Sequence, residues 1–192
     1  MDTRSLFEGS LVVWTSLDPE KDAAQLSKWT FDPEFVRHHF DGVYRPYMVS
    51  EIKKKFKEDL KKADERRQQY YFGIREKEGE RLVGLLRFAW VQAALQYAGL
   101  VLDFEDETLA EKYFDETLEM AMRYAFMELN LHRLYVVLPG FDVDAIGRYE
   151  QAGFLRETQR RQARFRDGQY YDELIYAILK PEWKDRIKEK QQ

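Results

Sequence analysis

The chain contains no cysteine and little glycine or proline, 10 and 5 in 192 residues. Without cysteine it can close no disulfide, offer no thiolate nucleophile and hold no zinc ion through sulfur. No apolar run approaches the roughly 20 residues that a membrane-spanning helix needs. The opening Met1-Asp2-Thr3-Arg4 has no hydrophobic segment behind it. Neither a membrane association nor a secretory leader is therefore expected, and the expected location is the cytoplasm. Excess positive charge is missing too: 31 Lys and Arg stand against 35 Asp and Glu, a net charge of −4. That balance argues against nucleic acid as a partner, because phosphate binding calls for a basic surface. No Pro/Gly/Ser-rich linker interrupts the chain, so residues 1–192 read as one domain, with a core from 7 to 183 and a polar helix that frays over 184–192. What is present is 44% hydrophobic and 15% aromatic residues, enough for a sizeable core, with 34% charged residues to solvate the outside.

Period and punctuation divide the chain into elements. Leu11-Val12-Val13-Trp14-Thr15 reads as a first strand. Asp18-Pro19-Glu20 and Asp32-Pro33-Glu34 each spell a helix start, an Asp cap followed by Pro in the first turn. An aromatic loop follows from His38 to Tyr47. Glu51 to Arg67 is a charged helix with one narrow stripe of Ile52, Phe56, Leu60 and Ala63, and its lysines read as a solvated face. Two apolar runs, Tyr70–Ile74 and Leu82–Phe88, form a hairpin across Glu78-Gly79, and a third strand covers about Leu95 to Phe104. A long amphipathic helix runs from about Leu109 to Leu129. Thr108-Leu109-Ala110-Glu111 spells a capping box at its start.

Leu131 to Phe154 organises the rest. Leu134-Tyr135-Val136-Val137-Leu138 is a buried central strand ended by Pro139-Gly140. A short helix follows, capped by Asp142, with Ala145, Ile146, Tyr149 and Ala152 inward and Gly153 placed for a left-handed C-cap. Asp167-Gly168 then marks a type I′ hairpin turn between two further strands. Arg156, Arg160, Arg164 and Arg166 share one face of the first of these by alternation, a solvated or self-associating face that would suit a homodimer. His38, His39 and His132 have no metal-ligand spacing with nearby acids, so no metal is expected.

The run LHRLYV followed by AIGRYEQAGF resembles the closing half of the GNAT N-acetyltransferases. It lies closest to the RimJ/RimL-like branch, which acetylates the amino termini of ribosomal proteins through a pattern near N-x-x-A-I-x-x-Y-E-x-x-G-F. The resemblance extends over Phe7 to Trp183 and implies an α+β GNAT fold, a mixed and splayed sheet of about seven strands with helices on both faces. It implies acetyl-CoA as cofactor, with its pantetheine along the backbone of Leu100, Val101 and Leu102, and a primary amine as acceptor, either a protein N-terminus or a small molecule. Tyr149 matches the tyrosine that protonates the departing thiolate, although it fits equally as a core tyrosine on an amphipathic helix. Phe40, Tyr44 and Tyr47 lie in the loop that covers the acceptor in the family, although rings at this spacing also serve simply to cover a sheet. Asp142 stands where the family pattern has Asn, beside the cofactor.

Two departures bear on catalysis. The family's pyrophosphate loop, R/Q-x-x-G-x-G/A, falls on Leu109 to Phe114, which contains no glycine and one basic residue, Lys112. Acids surround it: Asp103, Glu105, Asp106, Glu107, Glu111, Asp115 and Glu116. A phosphate cradle depends on bare amides at a helix N-terminus, and like charge there opposes it. The carboxylate that helps deprotonate the amine in the family falls on Ala98 or Gly99. Two readings follow. One is an N-acetyltransferase in which the amine attacks the thioester directly. The other is a GNAT-like binding or regulatory protein that has given up acetyl-CoA.

Overall fold

The computed structural model describes residues 6–40 and 44–190. Met1–Arg4 and positions 41–43 of the aromatic loop lie outside the described residues. Among those described, seven strands form one mixed sheet in the order β1-β2-β3-β4-β5-β7-β6. The strands are β1 (Val12–Thr15), β2 (Tyr70–Glu76), β3 (Leu82–Gln92), β4 (Tyr97–Phe104), β5 (Arg133–Pro139), β6 (Leu155–Arg166) and β7 (Gln169–Leu179). Six α-helices accompany them: α1 (Pro19–Trp29), α2 (Pro33–His39), α3 (Val49–Arg66), α4 (Glu107–Arg123), α5 (Val143–Gln151) and α6 (Lys180–Lys190). A single π-helical turn, Tyr124–Glu128, follows α4. This is the expected α+β architecture.

Two compact units divide the chain, Met1–Phe88 with Val101–Glu116 and Ala89–Leu100 with Thr117–Gln192. In the first, the helix starts read from Asp-Pro-Glu are present. Asp18 and Asp32 each accept the N–H two residues on, at 2.9 Å, and so satisfy one orphan donor of α1 and α2. The core here gathers Leu26, Trp29, Phe35, Ile52, Phe56 and Tyr71, with Leu60 and Ala63 packed at its margin. The narrow apolar stripe of α3 therefore docks as its spacing predicts.

In the second unit β5 buries Leu134, Val136 and Leu138. It pairs with β7 along its whole length, from Arg133–Leu179 to Pro139–Glu173. Asp142 caps α5 by accepting the N–H of Ala145 at 3.0 Å. Gly153 has φ +95°. Its N–H donates to Glu150 O at 2.9 Å and that of Phe154 to Tyr149 O at 3.0 Å, the paired bonds of a Schellman end. Asp167 and Gly168 have φ 50° and 77°, as a type I′ turn requires. α6 continues to Lys190 and seats Trp183 against Phe126 at 5.2 Å between ring centroids.

Two sequence expectations need correction. The long helix begins at Glu107, and its cap is Asp106, not Thr108: Asp106 Oδ1 accepts the N–H of Leu109 at 2.9 Å. The four β6 arginines do not share a face. A bulge between Arg156 and Thr158 inserts one residue, so Arg156 lies opposite Tyr176 while Arg160 lies opposite Glu173, three positions away on β7. An odd step along a strand reverses the face. Arg160 and Arg164 instead converge on the buried carboxylate of Glu173.

Candidate active site

β4 carries the first part of the candidate site. Its parallel ladder to β5 consists of Tyr97–Arg133, Ala98–Leu134 and Gly99–Tyr135. The ladder stops at Gly99, whereas β4 continues to Phe104 and β5 to Pro139. Leu100, Val101 and Leu102 thus follow the last β4–β5 pair, with backbone groups on that side not engaged in the ladder. Gly99 lets the chain pass close to Tyr135 at the junction, since a Cβ there would stand 3.0 Å from Tyr135 Cζ and the ring would have to shift.

The start of α4 is closed in a different manner. Residues 107–123 form a regular helix, so Leu109 to Phe114 make no irregular loop with exposed amides. Tyr113 and Phe114 are buried, and the Tyr113 hydroxyl donates to Glu76 Oε1 at 2.7 Å. Lys112 is exposed and sits over the Tyr113 ring, 4.7 Å from its centroid. The backbone of 100–102 would suit the amides of the expected pantetheine arm. A diphosphate at α4 would instead meet a helix N-terminus already capped by the Asp106 carboxylate, a poor fit for an anion.

The remaining residues singled out from the sequence are distributed as follows. Tyr149 is buried on α5, its ring edge-on to Phe154 at 5.2 Å. Asp142 is the α5 cap. Phe40 and Tyr47 stack at 4.2 Å, with Arg45 over the Tyr47 ring and Lys55 over that of Phe40. Tyr44 stands apart, half-exposed, with its hydroxyl donating to Phe31 O at 2.6 Å.

One cluster escaped the sequence reading. Asp103, on β4 just beyond Leu102, receives two imidazoles from the end of α2. His38 Nδ1 lies 2.7 Å from Asp103 Oδ1, and His39 Nε2 lies 2.8 Å from Oδ2. His39 is caged by Phe35 and Phe56, at 4.7 and 6.0 Å between centroids. Burial is the main cause holding His39 down to about 4, against the opposing pull of Asp103. Burial alone would raise Asp103, but the charge of His38 and hydrogen bonds from both rings together hold it well below the ordinary carboxylate range. Arg87 donates to the His38 carbonyl and sits over the Tyr71 ring. Three adjacent ionisable side chains in this setting are what active sites arrange. The only sequence signal was the His-His pair ending a helix, and its partner lies 65 residues away.

The mixed sheet with a central parallel ladder that stops short, followed by a strand–helix–strand unit, is an α+β arrangement of the GNAT type. The Acetyltransferase (GNAT) domain matches residues 17–175, and the chain belongs to that family. Among curated relatives, a probable N-acetyltransferase of Bacillus subtilis (strain 168), YjcK, is 29% identical over 128 residues, 66% of this chain and 68% of that one. An uncharacterized SPbeta prophage-derived N-acetyltransferase of the same bacterium, YokL, is 23% identical over 154 residues, 80% of this chain and 83% of its own. Spermidine N-acetyltransferase from Vibrio cholerae in complex with CoA and spermine superposes with TM-score 0.76 at 19% identity, covering 91% of this chain and 99% of that one. At that identity the likeness is one of fold. No helix among the described residues is long and apolar enough to cross a membrane.

Proposed function

We propose that the protein is an acetyl-CoA-dependent N-acetyltransferase whose acceptor is a primary amine, a protein N-terminus or a small molecule. The observation that carries this reading is the β4–β5 ladder, which ends at Gly99–Tyr135 although both strands run on. Backbone N–H and C=O groups released in this way suit the two amides of pantetheine, at Leu100, Val101 and Leu102. Membership of the GNAT family and the N-acetyltransferase names of the curated relatives support it. The spermine-bound relative in fold makes polyamines a reasonable first acceptor, beside the peptide amino termini that the RimJ/RimL-like resemblance suggests.

Acetyl-CoA supplies an activated thioester. The chain's own groups then orient and move protons. Tyr149 is the donor to the departing sulfur, a role that a phenol near the reacting centre can fill. Phe40 and Tyr47 present a stacked aromatic wall beside Arg45 and Lys55. Asp142 holds the start of α5, the helix that carries Tyr149. Lys112 is the nearest cation in sequence to the capped N-terminus of α4, where it offsets part of the acidic surroundings.

Calorimetric titration with acetyl-CoA, followed by an assay of thiol release with spermidine and an alanine-leading peptide, tests this reading. Saturable binding and amine-dependent thiol release are expected. Absence of binding would replace it with a GNAT-like module that does not use the cofactor.

A further inference from the structure

The last rung of the β4–β5 ladder, Gly99–Tyr135, has two unlike faces. Residues paired across the ladder share a face, and successive residues along a strand alternate between faces. Ala98, Leu100 and Leu134 therefore stand on one face, where all three are buried. Tyr97, Gly99, Arg133 and Tyr135 stand on the other, where both tyrosines are only half-buried. A pantetheine arm along the backbone that follows the rung could go no deeper than Gly99–Tyr135, because from there the two strands are bonded to each other. The bulky, charged diphosphate end cannot enter a sheet in this way, so the thioester tip is the part that would reach the rung.

We propose that Tyr135 sets the acyl-length limit of the transferase: its ring closes the open face at the acyl end, admitting a two-carbon thioester and excluding longer ones. This inference rests on the proposed acetyl transfer and names the donor class at that same site as short-chain acyl-CoA.

The placement of the ring carries the argument. A Cβ on Gly99 would meet Tyr135 Cζ at 3.0 Å, Oη at 3.1 Å and Cε2 at 3.3 Å. The far half of the ring thus lies directly over the Gly99 backbone. An acyl chain that extended past its second carbon would have two ways to leave the rung. On one face it would meet the buried Ala98 and Leu134 side chains of a close-packed interior. On the other it would meet the Tyr135 ring, with the Tyr97 ring behind it at 6.3 Å between centroids.

The ring is also held in place. The Arg133 guanidinium lies over it, 5.0 Å from its centroid, and is itself fixed by a forked pair of hydrogen bonds to Glu157 of β6. The Tyr135 hydroxyl has no hydrogen-bond partner among the described residues, so the side chain is positioned through its ring. Burial, and next the neighbouring Tyr97, hold the phenol above its ordinary value against the opposing charge of Arg133. The wall facing the acyl group is therefore uncharged at neutral pH.

The test compares wild type, Tyr135→Phe, Tyr135→Leu and Tyr135→Ala. It measures affinity for CoA, acetyl-CoA, butanoyl-CoA and hexanoyl-CoA by calorimetry, kcat/KM for thiol release with spermidine and with an alanine-leading peptide, and thermal melting. Wild type should favour acetyl-CoA over butanoyl-CoA by at least about tenfold in affinity and in kcat/KM, the range that a misplaced methylene imposes. Tyr135→Phe keeps the ring and should keep the ratio. Tyr135→Ala should narrow the ratio to within about threefold, since the obstructing ring is gone. Its affinity for CoA without an acyl group should stay unchanged, which a general loosening of the sheet would not allow. Equal binding of acetyl-CoA and butanoyl-CoA by wild type, an unchanged ratio in folded Tyr135→Ala, or loss of the ratio in Tyr135→Phe would overturn the assignment. The acetyltransferase reading would still stand on amine-dependent thiol release from acetyl-CoA. If Tyr135→Ala fails to melt cooperatively, Tyr135→Leu decides by the same ratio. Wild type that binds none of the four ligands would overturn both.

Discussion

The carboxylate of Asp106 accepts the N–H of Leu109 at 2.9 Å, so the positive end of α4 already faces a negative charge supplied by the chain. Glu107 stands in the same first turn. This is favourable for the helix and unfavourable for an arriving diphosphate. Acetyl-CoA binding should therefore depend on salt in an unusual direction, unchanged or slightly tighter as ionic strength rises, because salt screens the repulsion. Glu107→Gln combined with Glu111→Gln should tighten it by about two- to tenfold, since each removes a charge near the helix N-terminus. Calorimetry at two ionic strengths checks both. Ordinary weakening by salt in wild type would count against the electrostatic argument.

Tyr149 supplies a second prediction. Tyr149→Phe keeps the ring that packs edge-on to Phe154 and removes only the hydroxyl. Turnover should fall by roughly ten- to ten-thousand-fold with little change in acetyl-CoA affinity. Steady-state kinetics beside calorimetry separates the two quantities, and unchanged turnover removes Tyr149 from the mechanism.

His39 gives a pH dependence of stability. Its folded value of about 4 lies below its ordinary 6.5, with burial as the main cause. Between these values the unfolded chain binds more protons at this site than the folded one. Stability should therefore fall as pH drops from 6.5 toward 4, by about 2–3 kcal/mol from this group. Asp103, held below its ordinary range, contributes stability that is lost only at still lower pH. Urea unfolding at a series of pH values, for wild type and His39→Gln, should show a shallower loss between pH 6.5 and 4 in the variant. Parallel curves would refute the assignment.

Gly153 closes α5 at φ +95°, and a Cβ there would fall 2.6 Å from Arg186 Cδ. Gly153→Ala should cost about 1–2 kcal/mol from the left-handed backbone alone. Urea titration would register this as a lower midpoint at constant slope.

The elements legible in the sequence were those whose determinants lie within a few residues of one another. Asp18, Asp32 and Asp142 cap helices through amides two or three positions on. Gly153 and Asp167-Gly168 declare positive φ by residue type. The buried alternation of Leu134, Val136 and Leu138 needed no partner to be seen. The start of α4 shows where such reasoning becomes ambiguous. Asp106 and Thr108 are both good caps in overlapping frames, and the outcome was set by a distant contact. Glu105 N–H donates to Val83 O at 3.0 Å, so the chain stays bound along β3 through residue 105 and turns immediately afterwards. The β6 arginines were misassigned because a bulge is a property of pairing, not of alternation. The Asp103 cluster depended wholly on tertiary structure. His38 and His39 meet their carboxylate across 65 and 64 residues, and the low solvent access that neutralises one ring while leaving the other reachable arises only when α2 packs against β4.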